Sequence, residues 1–97
     1  MTRDEIIVKL KDTAPALRAK GVTRLAIFGS RARGDARADS DLDVLIDVDD
    51  SRFSGLDLVG VERTIKNATG IKTQAEMRRS IEPRFAERIA DDVIVVF

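Results

Sequence analysis

Two aspartates at the start of an apolar segment constrain this sequence more than any other feature. Asp41 and Asp43 are separated by one residue, and apolar residues alternate through the segment that follows. Because successive side chains of a strand point to opposite faces, the two carboxylates would share a face, roughly 6.6 Å apart along the strand. A strand predicted from about Leu42 to Val48 would therefore present two acidic groups on one face. Its opposite face would join the core through Leu42, Val44, Ile46 and Val48.

A glycine-serine turn precedes the aspartates and follows another apolar segment. A strand predicted over Val22–Phe28 leads into Gly29-Ser30, and a short helix is expected to begin at Ser30. Glycine lets the backbone approach a ligand closely, and a serine hydroxyl at a helix start suits phosphate oxygens. A pair of carboxylates suits hard cations such as Mg²⁺, which usually keeps waters and phosphates in its shell. This layout favours metal-assisted transfer of a nucleotidyl group.

The residues of this region resemble a known superfamily. Gly29-Ser30, ten intervening residues and then Asp41-Leu42-Asp43 are similar to the signature of the DNA polymerase β-like nucleotidyltransferases. The longer segments 28–34 and 40–45 resemble its minimal nucleotidyltransferase (MNT) branch, whose members are similar in length to this chain. The resemblance implies ATP as substrate and Mg²⁺ as cofactor. It also implies a partner, because MNT proteins are commonly antitoxins paired with HEPN-domain RNase toxins.

The resemblance further implies which residues form the site. Asp41 and Asp43 would be the catalytic carboxylates and would hold the metal. The arginines of the loop could neutralise phosphates or could be ordinary exposed cations, and both interpretations stay open. An ordinary turn followed by solvent-facing aspartates is the alternative for the whole motif. The residues expected to bind the nucleotide are Gly29, Ser30, Arg31, Arg33 and Ser40.

One position departs from the family pattern. Related enzymes carry a third aspartate on the strand after the long helix, and here Gln74 falls at that place. A neutral amide can coordinate weakly but cannot accept a proton at neutral pH. Glu76 shares the strand parity of Gln74 and could substitute for the missing carboxylate, or could be an exposed residue at the end of a strand. The departure leaves nucleotide binding in place as an expectation and puts turnover in question.

The first helix has a clear beginning and a doubtful middle. Thr2 to Glu5 reads as a capping box that starts a helix. Pro15 lacks a backbone N–H, so a kink or a break is predicted near Thr13. Gly21 is expected to end the segment.

The remaining pattern predicts an α/β fold with a small mixed β-sheet flanked by helices, resembling the polymerase β-like nucleotidyltransferase fold. Residues 1–97 are expected to form a single minimal nucleotidyltransferase domain. The C-terminal strand is either covered on both faces or an edge awaiting a partner. The further elements are helices over Leu56–Thr69 and Pro83–Ala90 and strands over Ile71–Glu76 and Val93–Phe97.

Composition excludes several classes of function. The net charge is zero and Trp and Tyr are absent, which disfavours direct nucleic-acid binding. Without Cys or His there is no thiolate zinc site, no cysteine nucleophile and no imidazole base. No signal peptide and no membrane span is predicted, so a cytoplasmic protein is the default expectation. An oligomer stays possible.

Two functions follow from these observations. The first is Mg²⁺-dependent transfer of AMP from ATP to a protein acceptor, by resemblance a cognate HEPN toxin. The second is a catalytically degenerate binding module that neutralises a toxin by forming a complex. Gln74 is the residue that favours the second.

Overall fold

A computed structural model describes all 97 residues. Four helices and four strands alternate along the chain, with a single 3₁₀ turn at Arg78–Ser80. None of the helices is long and apolar enough to cross a membrane. The helices are α1 (Arg3–Ala19), α2 (Gly29–Arg33), α3 (Gly55–Thr69) and α4 (Pro83–Ile89), and the strands are β1 (Val22–Phe28), β2 (Leu42–Val48), β3 (Thr73–Met77) and β4 (Ile94–Val95).

The four strands form one mixed sheet in the order β3-β2-β1-β4. β1 runs antiparallel to both β2 and β4, whereas β2 and β3 are parallel and are joined through α3. Parallel neighbours need such a crossover, usually a helix. The pairing aligns Phe28, Asp43 and Gln74 across three adjacent strands. The predicted α/β fold with a small mixed sheet is confirmed.

The two faces of the sheet are covered differently. The larger core lies on the face that carries Leu42, Val44 and Ile46, where α1 and α3 pack. A smaller apolar cluster on the other face joins Phe28 and Leu45 to residues of α4 and its flanks. Asp43 shares this second face with Leu45 by strand parity, so the aspartate lies on the more thinly covered side.

Helix α1 begins as predicted but does not stop at Pro15. The Thr2 hydroxyl accepts a hydrogen bond from the Glu5 N–H, and the Glu5 carboxylate accepts one from the Thr2 N–H. The helix continues to Ala19, so a break near Thr13 is wrong. Burying one leucine typically contributes about 1.5–3 kcal/mol, and Leu17, beyond the proline, is fully buried. That burial offsets the hydrogen bond that a proline removes.

Both outer strands of the sheet differ from their predicted bounds, and β3 covers Thr73–Met77 rather than Ile71–Glu76. The C-terminal strand covers Ile94–Val95 only, and it is an edge rather than a strand covered on both faces. Its ladder becomes irregular because Leu25 O accepts hydrogen bonds from the N–H groups of both Val96 and Phe97. At the opposite edge, the N–H of Ala75 in β3 donates to the Glu62 carboxylate of α3 at 2.8 Å. A side chain therefore caps part of that exposed edge.

Candidate active site

Gly29 lies directly against the carboxylate of Asp43. It follows Phe28, which is paired with Asp43 across β1 and β2. Its φ is +73°, and a Cβ built on it would lie 2.5 Å from Asp43 Oδ2. Real Cβ atoms do not approach an oxygen so closely, so only glycine fits without moving the carboxylate. The structure therefore shows a close approach of this glycine to the acidic side chain, and its approach to a ligand stays a prediction.

Asp41, Asp43 and Gln74 meet at one end of the β2–β3 pair. Asp43 and Gln74 are neighbours in the parallel register. Asp41 stands just before β2, and its Oδ2 accepts a hydrogen bond from Gln74 Nε2 at 3.2 Å. Glu76 lies one pleat further along β3, opposite Leu45. The structure therefore puts an amide beside the two aspartates and a carboxylate at the next position on the same face.

Asp43 is the candidate-site carboxylate whose pKa its surroundings raise. Partial burial raises its pKa, and the negative charges of Asp41 and Glu76 raise it further, while Arg33 acts in the opposite direction. A carboxyl whose ionised form is disfavoured by its neighbours gains most from a nearby cation.

The donor set fits Mg²⁺ in one particular way. No three acidic side chains converge closely enough to form a complete metal cage. Mg²⁺ is commonly held by one or two carboxylates together with substrate phosphates. Asp41 and Asp43 fit a metal that arrives with its nucleotide rather than one that resides permanently in the protein.

The loop between α2 and β2 is organised by Arg31 and Ser40. Arg31 is only 9 % exposed. Its Nε and Nη2 donate to the carbonyl of Ser40 at 3.2 and 2.8 Å, and Nη2 also donates to the carbonyl of Ala38 at 3.4 Å. The Ser40 hydroxyl accepts a hydrogen bond from the Arg37 N–H. The phosphate contacts expected of Arg31 and Ser40 stay predictions, and the structure gives both residues partners within the loop.

Arg33 and Ser30 lie at the two ends of the short helix α2. Arg33 is half-exposed and forms ion pairs with Asp35 at 3.1 Å and with Asp92 at 2.9 Å. Hydrogen bonds to these two carboxylates raise the pKa of the Arg33 guanidinium. Ser30 follows Gly29 at the start of the helix, and its carbonyl accepts hydrogen bonds from the N–H groups of Gly34 and Asp35. Arg33 is close enough to Asp43 to oppose the rise in the pKa of that carboxyl, and the phosphate contacts expected of Arg33 and Ser30 stay predictions.

Comparison with known families bears directly on this geometry. The nucleotidyltransferase domain family matches residues 9–96, which include the whole of the turn, the loop and the paired aspartates. The chain belongs to this nucleotidyltransferase family. Within it, the chain is of the minimal type, because it aligns over almost its full length with short relatives.

Three similar proteins illustrate the relationship. Protein adenylyltransferase MntA of Thermococcus cleftensis is 30 % identical over 97 residues, covering 99 % of this chain and 97 % of the relative. A solved structure provisionally described as a minimal nucleotidyltransferase has a TM-score of 0.81 at 28 % identity, covering 97 % and 95 % of the two chains. A tri-AMPylated Shewanella oneidensis HEPN toxin in complex with an MNT antitoxin gives a TM-score of 0.71 at 12 % identity, covering 99 % and 72 %, a likeness of fold alone.

Sequence reasoning missed Asp92 and Glu62, two residues that contact or support residues of the candidate site. Asp92 binds Arg33 from a position 59 residues away, and Glu62 fixes β3, which carries Gln74. Neither residue belongs to a recognisable motif, and no local pattern could have linked it to its partner.

Two cavities are lined by residues that also belong to the candidate site or its loop. The larger, of about 430 Å³, lies between the start of α1 and α2 and is lined by Arg3, Arg31 and Arg33 among others. The smaller, of about 260 Å³, extends from Glu76 to Phe85 and Arg88. Neither is lined by Asp41 or Asp43, and both of these aspartates are partly exposed.

Proposed function

We propose that this protein transfers AMP from ATP, with Mg²⁺, to a hydroxyl side chain of a partner protein, and that the partner is a HEPN-type toxin. The observation that carries the proposal is the contact of Gly29 with Asp43 beside Asp41. The glycine turn lies against one of the two carboxylates, an arrangement that would let Mg²⁺ and the phosphate oxygens of a nucleotide meet there.

Each residue of the site has a part in the proposed reaction. Asp41 and Asp43 would hold Mg²⁺, and Gly29 and Ser30 would bind phosphate oxygens. Bound there, the metal would offset charge developing on the phosphates and orient the leaving pyrophosphate. Arg33 would supply further positive charge on the same side, because its field already reaches Asp43.

The chemistry requires one proton acceptor. The acceptor oxygen forms a bond to the α-phosphorus, the bond from that phosphorus to the bridging oxygen breaks, and pyrophosphate leaves with the electron pair. The proton of the hydroxyl must pass to a base or to water. Gln74 cannot take it, and Glu76 is the carboxylate one pleat away. Slow transfer is therefore expected from the wild-type protein unless Glu76 serves as the base.

Two features of the relatives support the toxin as acceptor. The Thermococcus relative is named a protein adenylyltransferase, and the MNT antitoxin of similar fold was solved with a toxin carrying three AMP groups. This chain covers nearly the whole of the Thermococcus relative. Asp41 and Asp43 are partly exposed, which leaves them accessible to an acceptor that is itself a protein.

The second candidate is a binding module that neutralises a toxin by forming a complex without catalysis. The hydrogen bond from Gln74 Nε2 to Asp41 favours it, because the amide occupies a carboxylate oxygen that a metal would otherwise use. The two candidates differ in whether the toxin becomes labelled.

Labelled ATP separates them. We expect α-³²P-ATP with Mg²⁺ to label a HEPN toxin taken from the neighbouring reading frame, and we expect Asp41→Asn/Asp43→Asn to abolish both the label and Mg·ATP binding measured by calorimetry. Asp49→Asn is the matched control, because Asp49 is exposed just beyond the far end of β2. Silencing of the toxin without label would refute the transferase and leave the binding module. Equal Mg·ATP affinity in wild type and the double variant would show that the metal site lies elsewhere.

A further inference from the structure

We infer that Arg31 is a positioning residue that holds Asp41 in place for the metal. The inference rests on the proposed function, since it concerns the readiness of the same carboxylates to bind Mg·ATP. It differs from the phosphate contact expected from the motif, because it assigns the guanidinium to the protein's own backbone.

The Arg31 guanidinium donates hydrogen bonds to the backbone immediately before Asp41. Two of its nitrogens donate to the carbonyl of Ser40, and that carbonyl belongs to the peptide group that leads into Asp41. The third contact reaches Ala38. A planar fork with several donors can hold two carbonyls at once, which a lysine ammonium does less well. The arginine itself is anchored in α2 beside Ala32, which is 2 % exposed.

Asp41 needs this support more than Asp43 does. Asp43 lies inside β2 and is paired on one side with Phe28 and on the other with Gln74. Asp41 precedes the first residue of β2, and the chain has no helix or strand between Gly34 and Leu42. The ladder fixes its backbone from the C-terminal side only, through the bond from Leu42 N–H to Lys72 O. On the N-terminal side, the Ser40 N–H donates to the Arg37 carbonyl within the loop, and the Arg31 guanidinium ties this loop to α2.

A second arginine provides a matched control. Arg79 donates from Nη1 to the carbonyl of Asp50 and from Nη2 to the carbonyl of Phe53, both at 2.9 Å. It therefore holds the loop that leaves β2, just as Arg31 holds the loop that enters it. The Arg79 contacts lie at the opposite end of the strand from Asp41.

The test compares Arg31→Ala with Arg79→Ala in two measurements. Amide hydrogen exchange of the nucleotide-free protein should speed up at residues 38–41 in Arg31→Ala and at residues 50–53 in Arg79→Ala. Calorimetric affinity for Mg·ATP should fall about 10- to 100-fold in Arg31→Ala, the usual effect of losing a group that orients a metal ligand. Arg79→Ala should keep wild-type affinity. If Arg31→Ala does not fold, Arg31→Lys takes its place and should show the same changes to a smaller extent.

A double-mutant cycle with Asp41→Asn distinguishes positioning from direct contact. If Arg31 acts through Asp41, its removal should cost little further affinity once Asp41 is already neutral. Additive losses would overturn the inference and favour a phosphate contact. Unchanged exchange at residues 38–41, or unchanged affinity in Arg31→Ala, would overturn it as well. If wild type binds no Mg·ATP, the proposed function fails, and the exchange measurement still decides whether Arg31 holds this segment.

Discussion

Replacing Gly29 with alanine tests whether the turn and the carboxylate have been fitted to each other. The new Cβ would lie 2.5 Å from Asp43 Oδ2, and ordinary contact begins at 3.4 Å, so the carboxylate must move by roughly 0.9 Å. The positive φ of 73° adds backbone strain, typically about 1–2 kcal/mol for a residue other than glycine. Gly29→Ala thus combines two effects. One is the backbone strain of alanine at any positive-φ position, and the other is the displacement of the Asp43 carboxylate, which is specific to this site.

Gly70→Ala isolates the strain. Gly70 caps α3 with a φ of +75°, and a Cβ there would meet nothing within 4 Å. For a domain of this size, 1 kcal/mol lowers Tm by about 4–8 °C. We expect Gly70→Ala to lower Tm by the strain alone, and Gly29→Ala to lower it further because the Asp43 side chain must leave its rotamer or its position, at a cost of about 0.5–1.5 kcal/mol.

Ligand binding gives the decisive comparison. We expect the affinity of Gly29→Ala for Mg·ATP, measured by calorimetry, to fall about 10- to 100-fold, and that of Gly70→Ala to equal wild type. Removing the Asp43 carboxylate should remove the difference in stability between Gly29→Ala and Gly70→Ala. In an Asp43→Ala background the nearest atom of residue 43 to the new methyl group is Cβ, at 3.5 Å. There, Gly29→Ala should cost no more than Gly70→Ala. A folded Gly29→Ala protein that binds Mg·ATP as tightly as Gly70→Ala would refute the reasoning.

Three other substitutions test separate parts of the site. Asp43→Asn should raise Tm at pH 7, and the gain in unfolding free energy should be below about 1 kcal/mol, because solvent screens a partly exposed group. The pKa of Asp43 is higher in the folded than in the unfolded state, so wild type loses stability as the pH rises from the ordinary pKa of about 3.8 through the folded pKa. The stability advantage of Asp43→Asn should therefore vanish below about pH 3.8. Gln74→Asp should raise AMP transfer to the toxin, by up to the roughly 10²–10⁴-fold that a general base contributes. Glu76→Ala should change transfer by the otherwise wild-type protein little. A collapse of transfer in Glu76→Ala would identify Glu76 as the base. Glu62→Ala should lower stability by about 1 kcal/mol in thermal unfolding, because the part-buried N–H of Ala75 loses its acceptor. An unchanged Tm would show that water replaces it.

Local pattern predicted much of the fold. The bounds of β1 and β2 follow from alternation and apolar runs, and both strands lie at the predicted residues. α3 begins at Gly55, one residue before the prediction, and ends at Thr69 as predicted, where Gly70 takes the left-handed conformation that stops a helix. These signals act over a few residues, so they can be read without knowing which elements pack together.

Long-range competition explains the errors. The proline in α1 would end an isolated helix, but the residues on both sides of it are drawn into the same core. The apolar C-terminal run has the composition of a full strand, yet the double acceptance by Leu25 O ends regular pairing after Val95. Burial and hydrogen-bond partners from distant segments decided both outcomes.

The sequence by itself determined the parts of the candidate site: a glycine-serine turn, two aspartates of equal strand parity, and an amide where the resemblance predicts a third carboxylate. Tertiary structure alone decided their relationships. The parallel register of β2 and β3 brings Gln74 to Asp41 and Asp43 across a crossover helix, and the fold turns Arg31 inward onto the Ser40 carbonyl. Strand parity is a property of adjacent peptide units, so a few neighbouring residues of the sequence determine it. Register across a crossover and the burial of a charged side chain depend on how separate elements share one core, so no stretch of the chain specifies them alone.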